Sequence, residues 1–82
     1  MSTPLRHAGV VLGDLEAGLR RRGVGGLYGA ASALCGVLSV RPGLTVWCDG
    51  TRLWWIRSGQ WTDWPAADTE GAAAELQKFA AP

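Results

Sequence analysis

Two turn signals, Arg41-Pro42-Gly43 and Asp49-Gly50, cut residues 34–57 into three pieces that are apolar on both parities. Pro followed by Gly is the order that a type II turn requires, and Asp-Gly between apolar runs is a strong hairpin signal. The pieces between them, Leu34 to Val40, Leu44 to Cys48 and Arg52 to Arg57, are rich in branched and aromatic residues, as strands are. Ser58-Gly59-Gln60 turns once more, and Trp61 to Trp64 adds a short edge segment. This punctuation leaves little room for anything except an antiparallel meander.

The register of the turns sorts the side chains. With Pro42-Gly43 as a two-residue loop, Val40 opposes Thr45 and Leu38 opposes Trp47. With Asp49-Gly50 as the next loop, or Gly50-Thr51 at the same parity, Trp47, Trp54 and Ile56 share a face. One face is then expected to carry Leu34, Leu38, Val40, Trp47, Trp54 and Ile56. The other carries Cys35, Val37, Leu44, Val46, Cys48, Leu53 and Trp55. A half-solvated antiparallel sheet alternates apolar with polar residues, and this one has two apolar faces.

Helices flank the meander. Thr3-Pro4 reads as a helix start, Ala8, Leu12, Leu15 and Leu19 form an amphipathic stripe, Arg20, Arg21 and Arg22 suit the negative end of the helix, and Gly23 stops it. Residues 23–32 are a glycine-rich link that could hold a short irregular strand around Leu27 and Tyr28. Their spacing matches no phosphate-binding fingerprint. After Trp64-Pro65, Asp68 is placed as an N-cap for a second helix, with Ala72, Ala73, Leu76, Phe79 and Ala80 on its apolar stripe. The expected fold is α+β, one domain over residues 1–82, in the order α-β-β-β-α: a three-stranded antiparallel meander packed by two helices.

A chain of 82 residues buries only about 60–65% of its unfolded surface. Two short helices cover one face of a sheet well and seldom both. The alternative is that residues 23–32 and 59–66 roof the second face; otherwise a second copy of the chain is the simplest cover.

Charge adds a polarity along the chain. Residues 1–57 hold seven arginines and three acids, a balance of +4, and residues 58–82 hold Lys78 and four acids, a balance of −3, which sum to the net +1. Such a dipole orients helix docking or self-association and is too small to demand nucleic acid. The amino-terminal apolar stretch is broken by Gly, Asp14 and Glu16 and is too short for a signal-peptide core. No apolar run reaches the roughly 18 residues of a membrane span. The expected location is the cytoplasm, with no membrane association, and there two cysteines, Cys35 and Cys48, stay reduced.

Chemistry-bearing motifs are sparse. His7 is the single histidine, and no Cys-x-x-Cys accompanies it, so no metal or cofactor is expected. Asp14 with Glu16 and Asp68 with Glu70 are i, i+2 pairs, which do not face each other on a helix. The cysteines sit in apolar strands, where burial raises a thiol pKa, and are read as small packing residues. The five tryptophans, Trp47, Trp54, Trp55, Trp61 and Trp64, could stack bases or sugars, but with arginines beside them they resemble protein-interface hot spots more closely.

The stretch from Leu44 to Trp55, preceded by a Leu-rich helix ending Arg-Arg-Arg-Gly and followed by Trp64-Pro-x-x-Asp and an Ala-rich helix, resembles small proteins common in high-GC actinobacteria such as streptomycetes. That resemblance implies a cytosolic accessory protein and carries no activity. The αβββα order is also that of double-stranded-RNA-binding-like domains and of certain small toxin ribonucleases, but helix two begins Asp68-Thr-Glu where such domains place basic residues.

The function expected from these residues is that of a non-catalytic interaction module. It would self-associate as a homodimer through a Trp-rich sheet face and bind another protein, as a regulator, chaperone-like factor or antitoxin-type partner. The contact surface would comprise Trp47, Trp54, Ile56, Leu38 and Arg52. The alternative is a nucleic-acid-binding domain using Arg20, Arg21, Arg22, Arg41 and Arg57, with Arg52 beside them.

Overall fold

The structure, a computed structural model, describes residues 7–32, 35–57 and 59–80. The element order is α1 (Ala8–Arg21), β1 (Tyr28–Ala31), β2 (Gly36–Arg41), β3 (Leu44–Cys48), β4 (Arg52–Arg57), β5 (Gln60–Pro65) and α2 (Thr69–Ala80). The strands form one antiparallel sheet in the order β1-β2-β3-β4-β5. The fold is α+β, as expected, but the meander has five strands rather than three. The glycine-rich link supplies one edge strand and the Trp61–Trp64 segment the other. Neither folds over the sheet as a roof.

Helix α1 buries Ala8, Val11, Leu12, Leu15 and Leu19, a stripe at helical spacing. It begins at Ala8, not at the expected Thr3-Pro4 start: His7 is its N-cap, with a non-helical ψ of 135°, and Thr3 and Pro4 themselves lie outside the described residues. Its end is a Schellman motif. Val24 N–H donates to the Leu19 carbonyl and Gly23 N–H to the Arg20 carbonyl, each at 3.0 Å. Gly23 takes φ +85°, and Val24 packs into the core beside Leu19. Helix α2 is capped as its sequence predicts: Gly71 N–H donates to Asp68 Oδ1 at 3.0 Å. The second oxygen, Asp68 Oδ2, accepts the Trp64 indole N–H at 3.1 Å, which ties the cap to the sheet. Leu34 also lies outside the described residues.

Both helices feed one core. Leu38, Val40, Leu44, Val46, Cys48, Leu53 and Trp55 from the sheet pack in a single cluster with the α1 stripe and with Ala72, Ala73 and Leu76 of α2. The helices meet closely at Gly18 and Ala73, where a Cβ on Gly18 would stand 3.2 Å from the alanine methyl. The charge asymmetry of the chain closes there too, since Arg21 and Arg22 at the end of α1 both pair with Glu70 in the first turn of α2. Trp55 is wholly buried and stacks on Trp64 with ring centroids 6.1 Å apart.

The strand faces differ from expectation at β2. Arg41 opposes Leu44, so the Pro42-Gly43 turn forms as predicted, but Ser39 rather than Val40 opposes Thr45. Val40 is the extra residue of a β-bulge. The bulge reverses the parity of β2 against β3, so Leu38 and Val40 point under the helices and Val37 joins the face of Trp47. Without it Ser39 would point inward, and burying an unpaired hydroxyl costs about 1–3 kcal/mol. The second turn is Gly50-Thr51 rather than Asp49-Gly50, which keeps the expected parity but places Trp47 opposite Trp54 instead of Arg52. Gly50 takes φ +92° there, and Asp49 Oδ1 accepts the Thr51 and Arg52 N–H groups at 2.9 Å and the Thr51 hydroxyl at 2.7 Å.

Candidate interaction face and arginine groups

Among the described residues nothing covers the sheet face away from the helices. Its register runs as a row across all five strands, Ala30–Val37–Trp47–Trp54–Asp63. Tyr28 pairs with Ser39 and Ile56 with Trp61 on the same face. Tyr28 is 75% exposed, Trp61 62%, Trp47 44% and Ile56 41%, while Val37 and Trp54 are half-buried. These are large apolar side chains left in water by the chain's own packing. Tyr28, Trp47, Ile56 and Trp61 alone leave on the order of 500 Å² exposed, toward the upper end of the patches that single-chain proteins carry.

Of the residues expected on the contact surface, Trp47, Trp54, Ile56 and Arg52 share this face. Leu38 does not. It is fully buried under the helices, and the bulge at Val40 is the reason. Leu53 and Trp55 pack beneath the helices as expected. Val37, expected on the opposite face, belongs to this one with Ala30, Tyr28 and Trp61. Alternation of Trp61 and Asp63 against Thr62 and Trp64 is the signal that assigns Trp61. Nothing so clear marks Tyr28-Gly29-Ala30-Ala31, which contains few strand-forming residues.

Polar groups frame the apolar row. Arg52 Nε donates to Asp63 Oδ1 across β4 and β5. This bond and the attraction of Asp63 raise the Arg52 guanidinium above its ordinary pKa. The turn at Asp49 holds that carboxyl below the usual aspartate range. The Thr51 N–H contributes most to the shift, followed by the Arg52 N–H and the Thr51 hydroxyl.

The arginines do not form one patch. Arg20 pairs with Glu16 one turn back at 2.8 Å, and Arg21 and Arg22 meet Glu70 at the start of α2. Arg41 donates to the Phe79 carbonyl at 2.9 Å near the other end of α2, where a cation suits the helix dipole. Arg57 lies over the Phe79 ring, 3.6 Å from its centroid, a cation–π contact. Glu70 and Phe79 are about 14 Å apart along the helix at its usual rise, so the two groups sit at opposite ends of α2.

Only Cys48 is the buried packing residue expected of both cysteines; Cys35 precedes β2 and is exposed, and the two are not bonded to each other. Gly50 N–H donates to Cys48 Sγ at 3.3 Å. Among the described residues no group of three or more His, Cys, Asp or Glu is placed to hold a metal ion, and no helix is long and apolar enough to cross a membrane. Comparisons with family models, curated proteins and solved structures find no match. With five strands between its helices, the chain also departs from the αβββα order of the RNA-binding and toxin folds.

Proposed function

We propose that this chain is a non-catalytic accessory module whose open sheet face is a protein-contact surface. It self-associates through that face and presents the assembled particle to another protein, as a small regulator, chaperone-like factor or antitoxin-type partner. One observation supports this reading above the rest: both helices roof the same side of the sheet, and the other side carries Trp47, Trp54, Trp61 and Ile56 with no cover from the other described residues. Aromatic residues beside an arginine, ringed by polar groups, have the composition of an interface centre.

The nucleic-acid reading has less support. Its arginines are divided between two sites, and several are engaged by Glu16, Glu70 or Phe79. A groove that follows a phosphate backbone needs its cations in a continuous line.

Sedimentation or light scattering at tens of micromolar tests the proposal. The expected mass is twice the 8.7 kDa of the chain; a monomer throughout that range would count decisively against self-association. A gel shift on RNA or DNA at low salt is expected to show no complex, and a salt-sensitive shift would favour the arginine reading instead.

A further inference from the structure

The open face has relief. Ala30 and Val37 are short, and Trp47 and Trp54 stand beside them in the same cross-strand row. The step between them leaves a hollow of about 420 Å³, lined by Ala30, Val37, Cys35, Trp47 and Trp54 among others. A ridge of two indoles therefore borders a trough floored by small side chains.

We propose that the occupant of this trough is a second copy of the chain, docked about a two-fold axis that runs between β2 and β3 along the strands. Trp47 and Trp54 of each copy fill the hollow over Val37 and Ala30 of the other. This inference rests on the proposed self-association through the open face, and adds the geometry by which the two copies dock.

The argument is one of self-complementarity. Rotation about an axis parallel to the strands reverses strand order and keeps strand direction. The row Ala30–Val37–Trp47–Trp54 then lies on its own reverse, with small residues over large ones on both sides. A two-fold interface requires this reciprocity, since each contact must occur twice. The rotation also leaves the facing strands nearly aligned, the usual geometry for sheets packed about 10 Å apart. The result is a four-layer particle with the helices outside.

Charge and area agree with this placement. The overlapped strands, β1 to β4, present Ala30, Val37, Trp47 and Trp54 in the central row and Tyr28, Ser39, Thr45 and Ile56 in the next, and Arg52 stands at the end of β4, paired with Asp63 beyond the overlap. An apolar centre with a charged rim is the anatomy of a protein interface. A standard interface takes about 800 Å² from each partner. Tyr28, Trp47 and Ile56 supply part of that, and Val37, Trp54, Ala30 and the strand backbone extend the patch. In this arrangement β5 overhangs the partner's edge, so Trp61 stays in water.

Sedimentation equilibrium over a concentration series separates the outcomes, using the intact chain, Trp47→Ser, Ala30→Trp, Val37→Glu and Trp61→Ser. Circular dichroism and a thermal melt establish that each variant is folded. Ala30 is exposed, so filling its hollow leaves the monomer core intact. The expected result is a dimer whose dissociation constant rises tenfold or more with Trp47→Ser, Ala30→Trp and Val37→Glu and less than threefold with Trp61→Ser. If Trp61→Ser weakens the dimer as much as Trp47→Ser while Ala30→Trp leaves it unchanged, this docking is wrong and the contact face stands. If the intact chain is a monomer, or no variant has an effect, both the docking and the face reading fail.

Discussion

Gly36 is the point where the sheet lets α1 approach, and adding one methyl group there tests the packing of the whole helix layer. Gly36 is buried on the inner side of β2. A Cβ at this position would stand 2.7 Å from the Ala31 methyl on the edge strand, 2.7 Å from Leu12 Cδ1 on α1 and 3.1 Å from the Ala30 carbonyl oxygen. Leucine can rotate away, but the alanine methyl and the carbonyl move only with their backbone. Forcing extra volume into a packed site costs about 1–3 kcal/mol. Replacing glycine recovers about 0.4–1 kcal/mol by restricting the unfolded chain. Gly36→Ala should therefore destabilise by about 1–2 kcal/mol, which lowers the melting midpoint of a domain this size by about 5–15 °C. Thermal and urea melts followed by tryptophan fluorescence and circular dichroism provide the assay. Gly13→Ala is the matched control, because its Cβ would meet nothing within 4 Å on the exposed side of α1 and alanine favours a helix by up to about 1 kcal/mol. Should Gly36→Ala melt at or above the parent temperature, α1 does not lie against β1 and β2 as described.

Five other substitutions, at four positions, probe the turn, the cap and the two faces. Asp49→Ala removes three hydrogen bonds from the β3–β4 turn and should cost about 1–2 kcal/mol in a urea melt. Because folding lowers the Asp49 pKa, its contribution is complete above the ordinary aspartate range and is lost as pH falls through that range toward the folded value; Asp49→Asn should flatten this acid dependence. Asp68→Ala removes the α2 cap and the partner of the Trp64 indole, with an expected loss of about 1–2 kcal/mol, read by helix content and melting together. Trp55→Ala empties a fully buried site and should cost about 3–5 kcal/mol, whereas Trp47→Ala should change the stability of the dilute chain by less than about 1 kcal/mol; comparable losses at both positions would refute the division into inner and outer faces.

What could be read from the sequence follows from how local each cause is. The turn at Pro42-Gly43, the Gly23 helix stop and the Asp68 cap are set by residues within a few positions of one another and appear where the residues place them, and the Asp-Gly turn forms one residue later, at Gly50-Thr51, with the same parity. The pairing of Trp47, Trp54 and Ile56 on one face follows from a single turn. The bulge at Val40 has no local marker. It arises because Ser39 and Val40 exchange sides to keep the hydroxyl out of a core assembled from distant elements, and that exchange is why Leu38 lies inside and Val37 outside. Strand β1 is likewise a tertiary effect: Tyr28-Gly29-Ala30-Ala31 has weak strand preference and becomes a strand by pairing with Gly36 to Ser39. The sequence predicted a face too apolar for water but not its full membership, and the small residues that give the face its trough come from this unmarked strand.

Oxidative footprinting of the individual tryptophans at two protein concentrations tests the contact face most directly. At high dilution Trp61 and Trp47 should oxidise readily, Trp54 more slowly and Trp55 hardly at all. At tens of micromolar Trp47 and Trp54 should become protected while Trp61 keeps its reactivity. Reactivities that do not change with concentration, or a Trp55 that oxidises as fast as Trp47, would contradict the account.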